Sequence, residues 1–310
     1  MLAMPAAIWK WVLFNVFVLG MLVLDLCVFH RRPREMKLKE ALGWSAMWIV
    51  LALIWNAGIY FTQGPRKALE FLTGYVIEES LSVDNLFVFL LVLSYFRVPA
   101  KYQHDVLFWG IIGAVMMRAL FIAMGVTLLR RFEWILYVFG AVLIYSGIQM
   151  AIQKEKRIRP ETNPLLKLFR KLMLVTEHDE GGRFFVKRAG RRFATPLLVV
   201  LLMVEISDLI FAVDSIPAVL AITRDPFIAY TSNVLAVLGL RALYFALAGA
   251  MNVFRFLHYG LSVILIFVGT KMILSAWGIQ IPTSTALPVI VGILATSVIV
   301  SLIRPKPSEQ

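Results

Sequence analysis

VIEESLSVDNLFVF at 76–89 and VEISDLIFAVDSIPAV at 204–219 carry acids where a bilayer tolerates few. Glu78, Glu79 and Asp84 lie inside the first apolar run, and Glu205, Asp208 and Asp214 inside the second. An acid at the centre of a membrane helix costs roughly 2.5–3.5 kcal/mol even on insertion scales, so six unpaired acids would cost about 15–20 kcal/mol. Something must compensate them, and a bound cation is the leading candidate.

Both segments read as membrane spans because of what surrounds them. Hydrophobic residues make up 60% of the 310 positions and the mean hydropathy is +0.80, values outside the soluble globular class. Crossing about 30 Å of hydrocarbon takes about 20 apolar residues. Runs of that kind fall near 8–29, 41–62, 69–95, 105–129, 133–153, 196–222, 227–250, 255–277 and 285–303. The predicted fold is an all-α polytopic membrane protein with about nine transmembrane helices. The first run precedes basic residues but lacks a small-residue cleavage pattern, so it is expected to be a retained helix and not a signal peptide.

The net charge of +12 follows topology. With loops assigned alternately to two sides, one side collects Arg31, Arg32, Arg34, Lys37, Lys39, Arg97, Lys101, the dense basic segment 154–195, Arg255, Arg304 and Lys306. The other side holds Lys10, Arg66, Lys67, Arg130, Arg131 and Arg224. The positive-inside rule makes the richer side cytoplasmic, with the N-terminus outside and the C-terminus inside the cell membrane. The basic residues therefore give no reason to expect a nucleic-acid partner. Within 154–195, PLLKLFRKLMLV (164–175) reads as an interfacial helix on the anionic lipids of the inner leaflet, and RFFVKRAGRRF (183–193) as a short hairpin. The one cysteine, Cys27, permits no intrachain disulfide and no thiolate metal cluster.

Spans three to five repeat as spans six to eight. EESLSVDNLF (78–87) aligns with DLIFAVDSIP (208–217), placing Glu78 over Asp208, Asp84 over Asp214 and Asn85 over Ser215. MMRALFIAMG (116–125) aligns with GLRALYFALA (239–248), placing Arg118 over Arg241, and VLIYSGIQM (142–150) with ILIFVGTKM (264–272), placing Gly147 over Gly269. Units of three spans enter the membrane from opposite sides, so the expected arrangement is an inverted three-plus-three repeat, which in transporters places substrate at the repeat interface near the midplane. The predicted organisation is two N-terminal helices in 1–66, the first repeat in 67–153, the basic cytoplasmic loop in 154–195, the second repeat in 196–280, and a C-terminal helix and tail in 281–310.

Carboxylate, amide and hydroxyl oxygens are hard ligands suited to Mn²⁺, Mg²⁺ and Ca²⁺. The candidate metal ligands are Glu78, Asp84, Asn85, Glu205, Asp208, Asp214, Ser215 and Asp25, with Glu79 the weakest of the intramembrane acids. The four histidines, at 30, 104, 178 and 258, lie near span ends or in loops, which disfavours an imidazole site for Zn²⁺ or Cu⁺. Against these acids stand three bases within spans, Arg118, Arg241 and Lys271. They are expected to act as structural counter-ions, leaving negative charge for a divalent ion and protons. Crowded carboxylates also take up protons, a route to exchange of proton for metal. On a straight helix Asp84 and Asp214 lie roughly 120° from Glu78 and Asp208. Either the helices break near Ser82 and Pro217, or one acid of each pair faces a different neighbour.

ALEFLTGYVIEESLSVDNLFVF (68–89), FEWILYVFGA (132–141), ATPLLVVLLMVEISDLIFAVDSIPA (194–218) and DPFIAYTSNVLAVLGLRALYF (225–245) together resemble the TerC family of bacterial integral membrane proteins over nearly the whole chain. That resemblance implies export of Mn²⁺ from the cytoplasm and an older association with tellurium resistance. It carries the family's acidic positions onto Glu78, Asp84, Asn85, Glu205, Asp208, Asp214 and Ser215. Mn²⁺ is then the carried ion, with no prosthetic group and no enzymatic reaction expected. The alternative is a membrane scaffold in a tellurite or metal-stress complex, held together through the basic loop. An intramembrane aspartyl protease has the required two Asp residues but lacks the Tyr-Asp and Gly-x-Gly-Asp contexts of that class.

Overall fold

A computed structural model describes residues 3–29, 38–132, 134–152, 176, 181–188, 191–248 and 256–303, with side chains described except at 3–7, 25–29, 188, 191 and 192. The elements in chain order are helices α1 (Ala3–Phe29), α2 (Leu38–Gln63), α3 (Pro65–Tyr95), α4 (Ala100–Arg131) and α5 (Ile135–Ile152). Strands β1 (Phe185–Arg188) and β2 (Arg191–Ala194) follow, then α6 (Pro196–Leu220), α7 (Pro226–Ala248), α8 (Leu257–Ala276) and α9 (Thr283–Ile303). Each predicted apolar run corresponds to one of these helices, with ends displaced by a few residues.

Seven of the helices, α2 and α4 to α9, are long and apolar enough to cross a membrane. In α1 the residues with described side chains, Ile8–Leu24, are apolar and cover part of the 27-residue helix. The 31 residues of α3 include Arg66, Lys67, Glu70, Glu78, Glu79 and Asp84, which lower its hydropathy. Glu70 and Glu78 are buried by other helices, Glu79 and Asp84 are half-buried, and the Arg66 side chain is exposed.

Proline sets several helix starts. Pro65, Pro196 and Pro226 each open a helix, where the missing N–H has no intrahelical partner to lose and the fixed φ suits the first turn. Gly64 precedes α3 at φ 89, a backbone conformation that a Cβ would disfavour. Neither long acidic helix breaks: α3 is continuous through Ser82, and α6 continues past Pro217 to Leu220. On α6 the second of the two geometric alternatives holds, with Asp208 on Arg118 of α4 and Asp214 on Ser146 of α5.

Helix α3 packs on α7, α6 on α4, and α5 on α8, while α2 covers α7 and α9 lies against α8 and α3. The α5–α8 contact is close because it has glycines on both sides. A Cβ on Gly269 would lie 2.7 Å from the Gly140 carbonyl oxygen, and one on Gly147 2.8 Å from that of Ser262. Small residues of this kind let membrane helices approach and pack where no hydrophobic effect drives them together. Two apolar cores result. One joins α1, α2, α3, α4, α6 and α7, the other α3, α4, α5, α6, α8 and α9 with Ala229 of α7, so α3, α4, α6 and α7 belong to both.

The predicted hairpin is present. β1 and β2 pair antiparallel, Phe185 opposite Ala194 and Val186 opposite Phe193. The Thr195 hydroxyl donates to the Arg183 carbonyl at 2.6 Å, tying the hairpin to the start of α6. The predicted interfacial helix at 164–175 lies outside the described residues.

Candidate functional site

The guanidinium of Arg118, on α4, is completely buried. Its Nη1 donates to Glu78 Oε1 on α3 and to Asn233 Oδ1 on α7 at 3.1 Å. Its Nη2 reaches Asp208 Oδ1 on α6 at 3.0 Å, and its Nε reaches Asp208 Oδ2 at 3.4 Å. Asn233 closes the ring by donating its Nδ2 to Glu78 Oε2 at 2.8 Å. Four helices thus contribute one side chain each to a network with two carboxylates and one cation. Buried charges survive only when paired and hydrogen-bonded, and here every oxygen of both acids has a donor. Arg118 is paired with both acids at once.

A small cavity adjoins the network, lined among others by Leu86 of α3, Gly110 and Ala114 of α4, Val204 and Asp208 of α6, and Arg241 of α7. Its free space of about 10 Å³ admits about one water-sized particle. Asp208 therefore has one side on Arg118 and another on open volume. Arg241, the residue aligned with Arg118 in sequence, is also buried, 4% exposed.

The remaining predicted ligands have other surroundings. Glu205 is half-buried, its carboxylate pressed against Gly113 of α4, where a Cβ would come within 2.1 Å of Oε1. Asp214 is half-buried and accepts a 2.6 Å hydrogen bond from the Ser146 hydroxyl of α5. Asp84 is half-buried. Asn85 and Ser215 are buried, and Asn85 Nδ2, Ser215 Oγ and neighbouring Ser82 Oγ lack hydrogen-bond partners among the described residues. Glu79 accepts from Tyr75 and lies 4.0 Å from where a Cβ on Gly239 would stand, away from Arg118 toward α7 and α2. The side chain of Asp25 lies outside the described residues. Lys271 is buried on α8. No group of three or more His, Cys, Asp or Glu is close enough to hold a metal ion among the described residues. Arginine, in this arrangement, is the cation that joins Glu78 to Asp208.

Two buried polar residues escaped the sequence reading. Asn233 sits in YTSNV (230–234), a polar interruption of an otherwise apolar run, and polar side chains there are the available signal. Glu70 lies at the start of the predicted third span. It is buried, 6% exposed, and accepts from Thr223 Oγ1 at 2.6 Å.

Residues 63–309 match the family model described as "Integral membrane protein TerC family". A membrane protein of Myxococcus xanthus is 50% identical over 296 residues, covering 96% of this chain and 92% of its own. A protein of Escherichia coli K12 carrying the name "Putative membrane-bound redox modulator Alx" is 45% identical over 300 residues, 94% of this chain and 93% of its own. A membrane protein of Rickettsia bellii is 39% identical over 295 residues, 95% and 97% of the two chains. No solved structure matches. With similarity of this extent running through both acidic helices, the chain belongs to the TerC family of integral membrane proteins.

Proposed function

We propose that this protein exports a divalent metal cation, Mn²⁺ foremost, from the cytoplasm by alternating access between two inverted three-helix units in the inner membrane. The observation that carries this reading is the convergence of Glu78 and Asp208, aligned positions of the two units, on one buried cation between α3, α4, α6 and α7. The packing pattern supports the two-fold relation: α3 meets α7 as α6 meets α4, and the third helices, α5 and α8, meet each other. Inverted repeats of this kind carry substrate at their interface.

Under this reading Arg118 is a resident stand-in for the substrate. A divalent ion engages Glu78 and Asp208 only as the guanidinium moves off them, and Asn85, Ser82 and Ser215 offer further oxygen ligands nearby along α3 and α6. Oxygen donors of this type select Mn²⁺, Mg²⁺ or Ca²⁺ over softer ions. Protons on the acids that the metal leaves would complete the exchange, and the basic 154–195 loop would face the anionic inner leaflet with the N-terminus on the other side.

The name of the Escherichia coli relative speaks of redox modulation. A dithiol couple needs two thiols and this chain has one, so a redox effect here would follow from the metal that is carried. Purified protein in Mn²⁺-loaded proteoliposomes tests the proposal. Flux that exceeds empty liposomes, and that falls in Asp208→Asn and Glu78→Gln, is expected. Equal flux with and without protein would overturn it, and a metal-stress phenotype that survives both substitutions but needs residues 154–195 would favour a scaffold.

A further inference from the structure

A second polar network closes one end of the bundle, where α3 begins and α6 passes into α7. Glu70 accepts from Thr223 at 2.6 Å, Lys67 Nζ at 3.1 Å and Arg66 Nε at 3.3 Å. Lys67 also reaches Asp225 Oδ2 at 3.1 Å. Asp225 in turn accepts the Phe227 backbone N–H at 3.0 Å, and its own N–H donates to Thr223 Oγ1 at 3.2 Å. The first turn of α3 is thereby fastened to the α6–α7 turn.

Between this network and Glu78 the helices are closed by small residues. One turn beyond Glu70, Gly74 faces Ser232 of α7, and a Cβ there would come 3.0 Å from Ser232 Oγ and 3.7 Å from Val219 of α6. Thr73 and Ser232 are completely buried. One further turn along α3 stands Glu78, about 12 Å from Glu70 along the axis at 1.5 Å per residue. The free space beside Asp208 is on the other side: its α3 lining, Leu86 and Phe89, lies beyond Glu78, and its α4 lining, Gly110 and Ala114, precedes Arg118. The Arg118 network therefore has a cavity toward one end of the bundle and a packed, bolted column toward the other.

The two networks differ in how they can open. Arg118 is entirely enclosed, whereas the side chain of Arg66 is 90% exposed and that of Lys67 31% exposed. Charges at the bundle end can exchange a protein partner for water, and separating Gly74 from Ser232 uncovers little apolar surface. We propose that Glu70, Lys67, Thr223 and Asp225 form a latch that gates this end of the path to Glu78 and Asp208. The inference rests on the transport reading and adds to it a named gate.

Cysteine accessibility tests it without reference to metal flux. In a Cys27→Ser background, Ser232→Cys places a thiol just beneath the latch, and a membrane-impermeant maleimide is applied to vesicles of either orientation. Labelling from the side that carries the start of α3 is expected to be slow in this parent. It is expected to rise several-fold when Glu70→Gln is added, and again separately with Thr223→Val, which removes one hydroxyl at constant shape. Labelling unchanged by both substitutions in protein with the parent's gel-filtration profile overturns the latch, and if Glu70→Gln does not fold, an unchanged rate in Thr223→Val does so alone. Faster labelling without Mn²⁺ flux in any variant leaves the latch standing and removes the export reading. Flux with unmoved labelling does the opposite.

Discussion

Glu78 on α3 and Asp208 on α6 bind opposite sides of one buried guanidinium, that of Arg118. Removing one member of a buried, hydrogen-bonded charge set leaves the rest uncompensated, at a cost of about 3–5 kcal/mol. Arg118→Met is therefore expected to lower the unfolding midpoint in detergent sharply. Adding Glu78→Gln and Asp208→Asn to Arg118→Met should recover part of the loss, because neutral amides no longer need a cation. A triple variant no more stable than Arg118→Met would show that the guanidinium acts by packing and not by charge.

Asn233 is bonded to both charged partners, accepting from Arg118 and donating to Glu78. Asn233→Leu is close in volume but leaves a guanidinium N–H and a carboxylate oxygen without partners. An unmade bond to a buried group costs about 1–3 kcal/mol, so a fall in stability within that range is expected, read by the same thermal measurement. Ser232→Ala, one residue away, loses only a 3.2 Å bond to the carbonyl of Ala229 and should change stability far less.

Much of this architecture could be read from the chain alone. Nine apolar runs of membrane-crossing length marked the helices, and intramembrane acids aligned with one another marked the helices that meet. What the sequence could not show was which side chains pair. Arg118 is placed equally well by its helical position for either acidic helix, and only packing reveals that it serves both. Asn233 was hidden by a different cause, because an amide in an apolar run carries no charge to demand explanation. Glu70 stands one residue inside the predicted span, where an acid passes for an interfacial one until Thr223, 153 residues away, proves to be its donor. Asp84 and Asp214 differ in face from Glu78 and Asp208 by helical geometry, and Ser146 on α5 was not foreseeable as the donor to Asp214.

Gly113 supplies a separate handle on Glu205. A Cβ at this position would overlap the Glu205 carboxylate, 2.1 Å from Oε1 and 2.5 Å from Cδ, but a long flexible side chain can turn away. Gly113→Ala is expected to fold with little loss of stability while moving the acid off its present seat. If Glu205 takes part in cation passage, Gly113→Ala and Glu205→Gln should each slow Mn²⁺ flux in proteoliposomes, and the double variant should be no slower than the worse single one. Additive losses would mean that the glycine and the acid act separately.

The close approach of α5 and α8 yields the last expectation. A Cβ on Gly269 would stand 2.7 Å from the Gly140 carbonyl oxygen and 2.9 Å from Leu143 Cβ, and one on Gly140 would stand 2.9 Å from the Gly269 carbonyl oxygen. Backbone atoms cannot rotate aside as the Glu205 carboxylate can, so any side chain at either position must push the helices apart. Gly269→Ala and Gly140→Ala are each expected to lower the thermal midpoint in detergent. Gly292→Ala in α9, with nothing within 4 Å of the added Cβ, should hold or slightly raise it, since alanine favours helix by up to about 1 kcal/mol. The same contact joins the third helices of the two proposed units, so a wedge there separates the units themselves. Flux should fall in Gly269→Ala at temperatures where the protein remains folded, and undiminished flux would place the moving interface elsewhere in the bundle.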